Sequence, residues 1–136
     1  MNIVIDSNIL FSALIKDSYT RRIILEYEGT FLFPSYIFEE MEKYKDELFK
    51  KSGLNIIEFN KLLSIILKKV MIIPTQVLIP YREKALKIIK DIDKKDVLFV
   101  ACVLAYPDSI LWSDDKRLKQ QDVIKVYKSS EIKEIL

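Results

Sequence analysis

Short unbroken apolar runs alternate along this chain with longer stretches in which apolar residues recur every three or four positions. Ile3-Val4-Ile5, Thr30 to Phe33, Val70 to Ile73, Ser109 to Trp112 and Val123 to Tyr127 read as strands, the first covering residues 2–5. Helices are predicted over about 8–15, 19–28, 55–69, 80–91 and 94–105, and from a cap at Ser35 to about Ser52. A short terminal helix follows, capped by Ser129 or Ser130. Gly29 and Gly53 stand where helix C-caps belong, Asn55 and Asp93 where N-caps belong, and Pro34 and Pro74 end strands, the latter with a loop after it. Strands that are apolar throughout, alternating with helices, describe a parallel sheet covered on both faces. The expected class is therefore α/β, with ligands bound beyond the carboxyl ends of the strands. A length of 136 residues suits one domain spanning 1–136, and isolated glycines exclude a P-loop or a dinucleotide fingerprint.

Composition narrows the chemistry. The chain has no histidine, which removes Ser-His-Asp and Cys-His catalysis and His-ligated zinc. Cys102, the one cysteine, sits in an apolar run and reads as a buried thiol. The longest apolar run, Val97 to Tyr106, is too short to span a membrane. No basic region or cleavage site marks a signal peptide near Met1, so a cytoplasmic protein with no membrane partner is expected. A net charge of +2 neither announces nor excludes a nucleic-acid partner, because local fields decide that.

Acidic residues at element boundaries carry the functional argument. Asp6 directly follows the first strand, where a parallel sheet points a side chain into the ligand crevice. In the helix after Ser35, Ile37, Phe38, Met41, Tyr44 and Leu48 fall on one face at about 100° per residue. Glu40 lies beside that face, and Glu39 points nearly the opposite way. Asp93 and Asp96 open the most apolar helix, where helix capping alone would account for Asp93. Asp114 and Asp115 follow the Ile110-Leu111-Trp112 strand. Acids gathered at one sheet edge repel one another unless a cation joins them, and oxygen ligands without His or Cys favour Mg²⁺ or Mn²⁺.

This order of motifs resembles the PIN domain, the fold of VapC-type toxins and of several RNA-processing nucleases. The resemblance covers nearly the whole chain. It rests on Ile3-Val4-Ile5-Asp6-Ser7-Asn8, Pro34-Ser35 with Glu40-Met41, Asp93-Lys94-Lys95-Asp96, and Ser113-Asp114-Asp115. It implies a three-layer α/β/α sandwich around a central parallel sheet, and a metal-dependent ribonuclease. Asp6, Glu40, Asp96 and Asp115 would be the catalytic, metal-binding acids, with Asn8, Asp93 and Ser113 in support. Asp115 is preferred to Asp114 because the family shows Thr or Ser, one variable residue, then Asp. Ser113 replaces the commoner Thr and keeps a hydroxyl.

Arg21, Arg22, Lys94, Lys95, Lys116, Arg117 and Lys119 are candidate phosphate contacts, and Tyr19, Tyr36 and Trp112 candidate stacking surfaces. The toxin branch implies an antitoxin protein as partner. A homodimer is expected because Ile56, Ile57, Phe59, Leu62, Leu63, Ile65, Ile66 and Leu67 wrap most of the circumference of one helix. Two other readings compete. A catalytically inactive PIN-like RNA-binding or scaffold protein would keep the fold, but the acid set is complete. A haloacid dehalogenase-type phosphatase would need a second Asp and a Thr that Asp6-Ser7-Asn8-Ile9-Leu10 lacks.

Overall fold

The computed structural model describes residues 1–15, 19–92 and 96–136. Five strands form one parallel sheet: β1 (Asn2–Ile5), β2 (Thr30–Pro34), β3 (Val70–Ile73), β4 (Ser109–Trp112) and β5 (Val126–Tyr127), in the order β3-β2-β1-β4-β5. β1 is central, with Ile3 opposite Phe31 on one side and Ile110 on the other. Ile3, Val4 and Ile5 are all fully buried, as a strand covered on both faces requires.

The helices complete the α/β/α sandwich. On one side α1 (Ser7–Ile15), α2 (Tyr19–Glu26), α3 (Ile37–Ser52) and α4 (Ile56–Lys68) pack on one another. α5 (Thr75–Ile89) and α6 (Val97–Ala105) form a second pair, with α6 laid against β1, β2 and β4. α6 is apolar throughout, and Phe99 to Val103 are buried. Cys102 lies among them, and burial pushes its thiol up to about 12, so it is an inert core residue. Trp112 and Phe31 are the largest buried rings beside β1, 6.2 Å apart. A short helix α7 (Ser129–Ile132) and a 3-10 turn (Lys133–Ile135) follow β5. Among the described residues no helix is long and apolar enough to cross a membrane.

Several boundaries differ from the sequence expectations, each for a local reason. The helix expected from residue 80 begins at Thr75 and carries Pro80 inside it. A proline there removes one helical hydrogen bond, but Leu78, Ala85 and Ile89 are fully buried, and that burial holds the first turn in helix. The strand expected from Val123 pairs only at Val126 and Tyr127. Ahead of it the Gln121 amide donates to the Leu118 and Ile124 carbonyls and accepts from Ile124 N–H, which gives that backbone partners outside the ladder.

Ser35 does not cap α3; Tyr36 takes that position, and the Ser35 hydroxyl faces Thr75 Oγ1 at 3.4 Å. Gly29 is not a left-handed cap, since Gly53 is the glycine with positive φ. Instead, a Cβ at Gly29 would meet the Tyr27 ring at 2.2 Å. On α3, Met41 and Leu48 are buried, whereas Phe38 and Tyr44 stay exposed because the neighbours cover a narrower stripe than the pattern offers.

The turn from α3 to α4 is the most locally determined part of the chain. Gly53 has φ 69°, a conformation that L side chains rarely adopt. Asn55 accepts from Glu58 N–H at 2.8 Å while Glu58 reaches back to Asn55 N–H at 3.3 Å, a reciprocal capping box. Gly53→Ala and Asn55→Ala should each lower stability by about 1 kcal/mol, read from the urea midpoint at constant slope.

Candidate active site

The chain runs from β1 outward to β2 and β3 on one side, then returns to β4 and β5 on the other, so the direction of winding reverses at β1 and β4. A crevice opens beyond the carboxyl ends at such a reversal. Here Asp6 N–H donates to the Trp112 carbonyl at 3.3 Å and draws the two strand ends together. The resulting cleft has a volume of about 430 Å³ and includes Asp6, Glu40, Asp96 and Asp115 in its lining. Tyr36 and Phe99 form an aromatic wall, with ring centroids 6.0 Å apart.

Each acid is held differently. Asp6 is buried at the base, accepting from Ile9 N–H at 3.0 Å. Burial raises its pKa above the ordinary carboxylate value; bonds from Ser113 and Ile9 oppose the shift, and the charges of Asp114 and Asp115 add to it. Glu40 is half-buried, with the Ser7 hydroxyl 3.4 Å from Oε2, and Glu39 is exposed, as the helix phase predicts. Asp96 occupies the N-cap position of α6, yet its side chain makes no capping hydrogen bond, so its place in the cleft is not explained by capping. Asp115 is paired with Arg117, whose hydrogen bonds hold its carboxyl below the ordinary carboxylate range.

Ser113 is fully buried beneath this group. Its hydroxyl accepts from the backbone N–H of Asp115 at 3.1 Å, and the same side chain favours the ionised form of Asp6. Asp114 points elsewhere. Its carboxylate accepts from the N–H and hydroxyl of Ser129, both at 2.7 Å, and the Trp112 indole donates to the same hydroxyl at 3.0 Å. The expected cap of the last helix is therefore supplied from a distance by Asp114, with Ser129 as the first helical residue rather than the cap.

Asn8 lines the cleft and is exposed. Asp93, Lys94 and Lys95 lie outside the described residues. Arg21 donates to the Ala13 and Leu14 carbonyls at 2.7 and 3.3 Å, closing the end of α1. Arg22, Lys116 and Arg117 are exposed, and Lys119 is paired with Glu131. Ser7 reaches the cleft with no expectation from sequence, and Tyr36, a candidate stacking surface, stands in its lining. Their sequence signal is position alone: Ser7 follows Asp6, and Tyr36 stands two residues beyond β2. Burial and then Glu40, followed by Asp96 and Asp6, push the Tyr36 phenol up to about 12, so it remains a donor throughout the neutral range. A larger groove of about 510 Å³ continues between α1 and α3, sharing Ser7, Asn8 and Glu40 with the cleft.

A family model of the PIN domain matches residues 4–132. The chain belongs to the PIN domain family. A search of curated proteins finds no match. Among solved structures, the chain is similar to one in the crystal structure of VapBC2 from Rickettsia felis bound to a DNA fragment from their promoter. The identity is 18% and the TM-score 0.62, covering 94% of this chain and 98% of that one, which is a likeness of fold.

The side chains in this PIN domain's cleft that could ligate a cation offer oxygens, and neighbouring carboxylate charge adds to the raised pKa of Asp6, a combination suited to a hard divalent cation. Among the described residues no three carboxylates stand grouped at metal-ligand spacing; Asp115 is turned to Arg117.

Two stability outcomes test this arrangement. The folded pKa of Asp6 lies above its unfolded value of 3.8, so ionisation penalises the fold as pH rises past that value. Asp6→Asn removes the charge while its amide oxygen can still accept from Ile9 N–H, and it should raise Tm at pH 7 in EDTA, a gain that fades below pH 3.8. Asp114→Ala should lower stability by about 1 kcal/mol through loss of the remote cap, measured by thermal denaturation.

Proposed function

We propose that this PIN domain is a divalent-metal-dependent endoribonuclease that hydrolyses RNA phosphodiester bonds. The observation that carries the reading is the meeting of Asp6, Glu40, Asp96 and Asp115 in one cleft at the winding reversal of the sheet. Mg²⁺ or Mn²⁺ bound by these acids would lower the pKa of a water molecule and neutralise charge on the phosphate. Asp6 and Asp115, with Ser113 beneath them, form the base of that site; Glu40 and Asp96 close its sides, with Asn8 and Asp93 in support. The Tyr36 phenol, held protonated, is a donor for a phosphate oxygen. Arg22, Lys116 and Arg117, together with Lys94 and Lys95, are the candidates for holding RNA phosphates. A cytoplasmic setting and an antitoxin partner belong to the same reading. The inactive scaffold alternative has no missing acid to support it.

Purified protein should cut RNA with Mn²⁺ or Mg²⁺ and stop in EDTA; undiminished cutting in excess chelator would exclude the mechanism. Asp6→Asn, Glu40→Gln, Asp96→Asn and Asp115→Asn should each slow cleavage by about 10²-fold or more while the fold is kept. Glu39→Gln should leave the rate unchanged, and Asp114→Asn should be milder than Asp115→Asn.

Self-association is part of the proposal. α4 buries Phe59 and Ile66 but exposes Ile56, Ile57 and Ile65, with Ile57 at 77% exposure. A second copy across a two-fold axis would cover this face. Light scattering at micromolar concentration should give a dimer mass that Ile57→Glu or Ile65→Glu splits. A monomer mass unaffected by either substitution would remove the dimer.

A further inference from the structure

The cleft contains a cation of its own. Asp115 caps the 3-10 turn over Lys116–Gln120, and the backbone N–H of Arg117 donates to its Oδ1 at 3.0 Å. The Arg117 side chain then folds back over the same carboxylate. Nε donates to Oδ1 at 3.1 Å and Nη2 to Oδ2 at 2.9 Å, so a guanidinium fork engages both oxygens. Of the described residues lining the cleft with Asp6, Glu40 and Asp96, Arg117 is the basic one. Its side chain is 56% exposed, so displacing it leaves no buried void. The backbone contact that shapes the turn does not depend on where the guanidinium sits.

From this geometry we infer that Arg117 is a resident counter-ion that competes with the divalent cation for Asp115. Loading the site displaces the guanidinium from Asp115 and leaves it at the rim of the cleft for a substrate phosphate. The inference rests on the metal-dependent reading above. Two physical effects oppose simultaneous occupancy. A carboxylate engaged by a fork has fewer lone pairs to offer a hard cation, and a guanidinium charge within a few ångströms repels a divalent one.

Mn²⁺ binding provides a readout separate from cleavage. Calorimetric titration, with free Mn²⁺ followed by electron paramagnetic resonance, would compare the native protein with Arg117→Gln, Arg117→Lys, Asp115→Asn and Asp115→Asn/Arg117→Gln. Arg117→Gln should bind Mn²⁺ about 2- to 5-fold tighter, since an exposed pair of ordinary strength lowers the competent fraction by that factor. Arg117→Lys, which keeps the charge without the fork, should fall between. With Asp115→Asn already present, removing the arginine should bring no comparable gain. Equal or weaker Mn²⁺ binding by Arg117→Gln overturns the competition and leaves the metal-dependent reading standing. A full gain that persists beside Asp115→Asn overturns it as well, because the effect then belongs to net charge. Absence of Mn²⁺ binding in every protein, the native one included, removes both the competition and the metal-dependent reading.

Discussion

Parallel pairing of β1 with β2 on one side and β4 on the other is the constraint from which the rest of this structure follows. It aligns Val4 with Leu32 and Leu111, and so brings the ends of three strands to one edge. Asp6, the turn into α3 and the Ser113-Asp114-Asp115 loop all leave from that edge. The covering helices are needed because β1 is buried on both faces. α6 is apolar over its whole length for the same reason, and its N-terminus brings Asp96 to the cleft.

Gathering acids at a partly buried edge opposes folding, and the structure answers this with polar contacts of graded strength. Asp6, the most buried, has a backbone N–H and the Ser113 hydroxyl, which only partly offset desolvation. Asp115, half-exposed, has the Arg117 fork and is held in its ionised form. The result is a site with one carboxylate inclined to keep its proton and another inclined to lose it. Tyr36 completes the field from the opposite wall, its phenol kept neutral by burial and by the acids around it. Such a pocket favours a hard cation, or a positively charged side chain in its place.

Where the candidate acids stand is partly legible in the sequence, for geometric reasons. The place of Asp6 followed from strand polarity, and the separation of Glu39 from Glu40 from helical phase. The Asp114 and Asp115 pair was harder. Both follow β4 immediately, and what separates them is that Ser129, fifteen positions onward, takes Asp114 as its capping acceptor. The same kind of remote partner explains Arg21, whose guanidinium reads from sequence as a phosphate contact but closes the carbonyl end of α1.

The sequence by itself determined the elements whose signals are local. β1 to β4 emerge from unbroken apolar runs, and the α3–α4 turn from Gly53, Asn55 and Glu58, because periodicity, left-handed backbone and capping act within a few residues. Tertiary structure decided where burial outweighed those rules. It extended α5 back through Pro80, since Leu78 has a core to enter, and it left Phe38 and Tyr44 outside on a face the pattern would bury. It also decided which charges meet. A hydrophobic pattern specifies which side of an element is dry, but the pairing of one carboxylate with one cation depends on distances of a few ångströms between elements, and only the packed chain sets those.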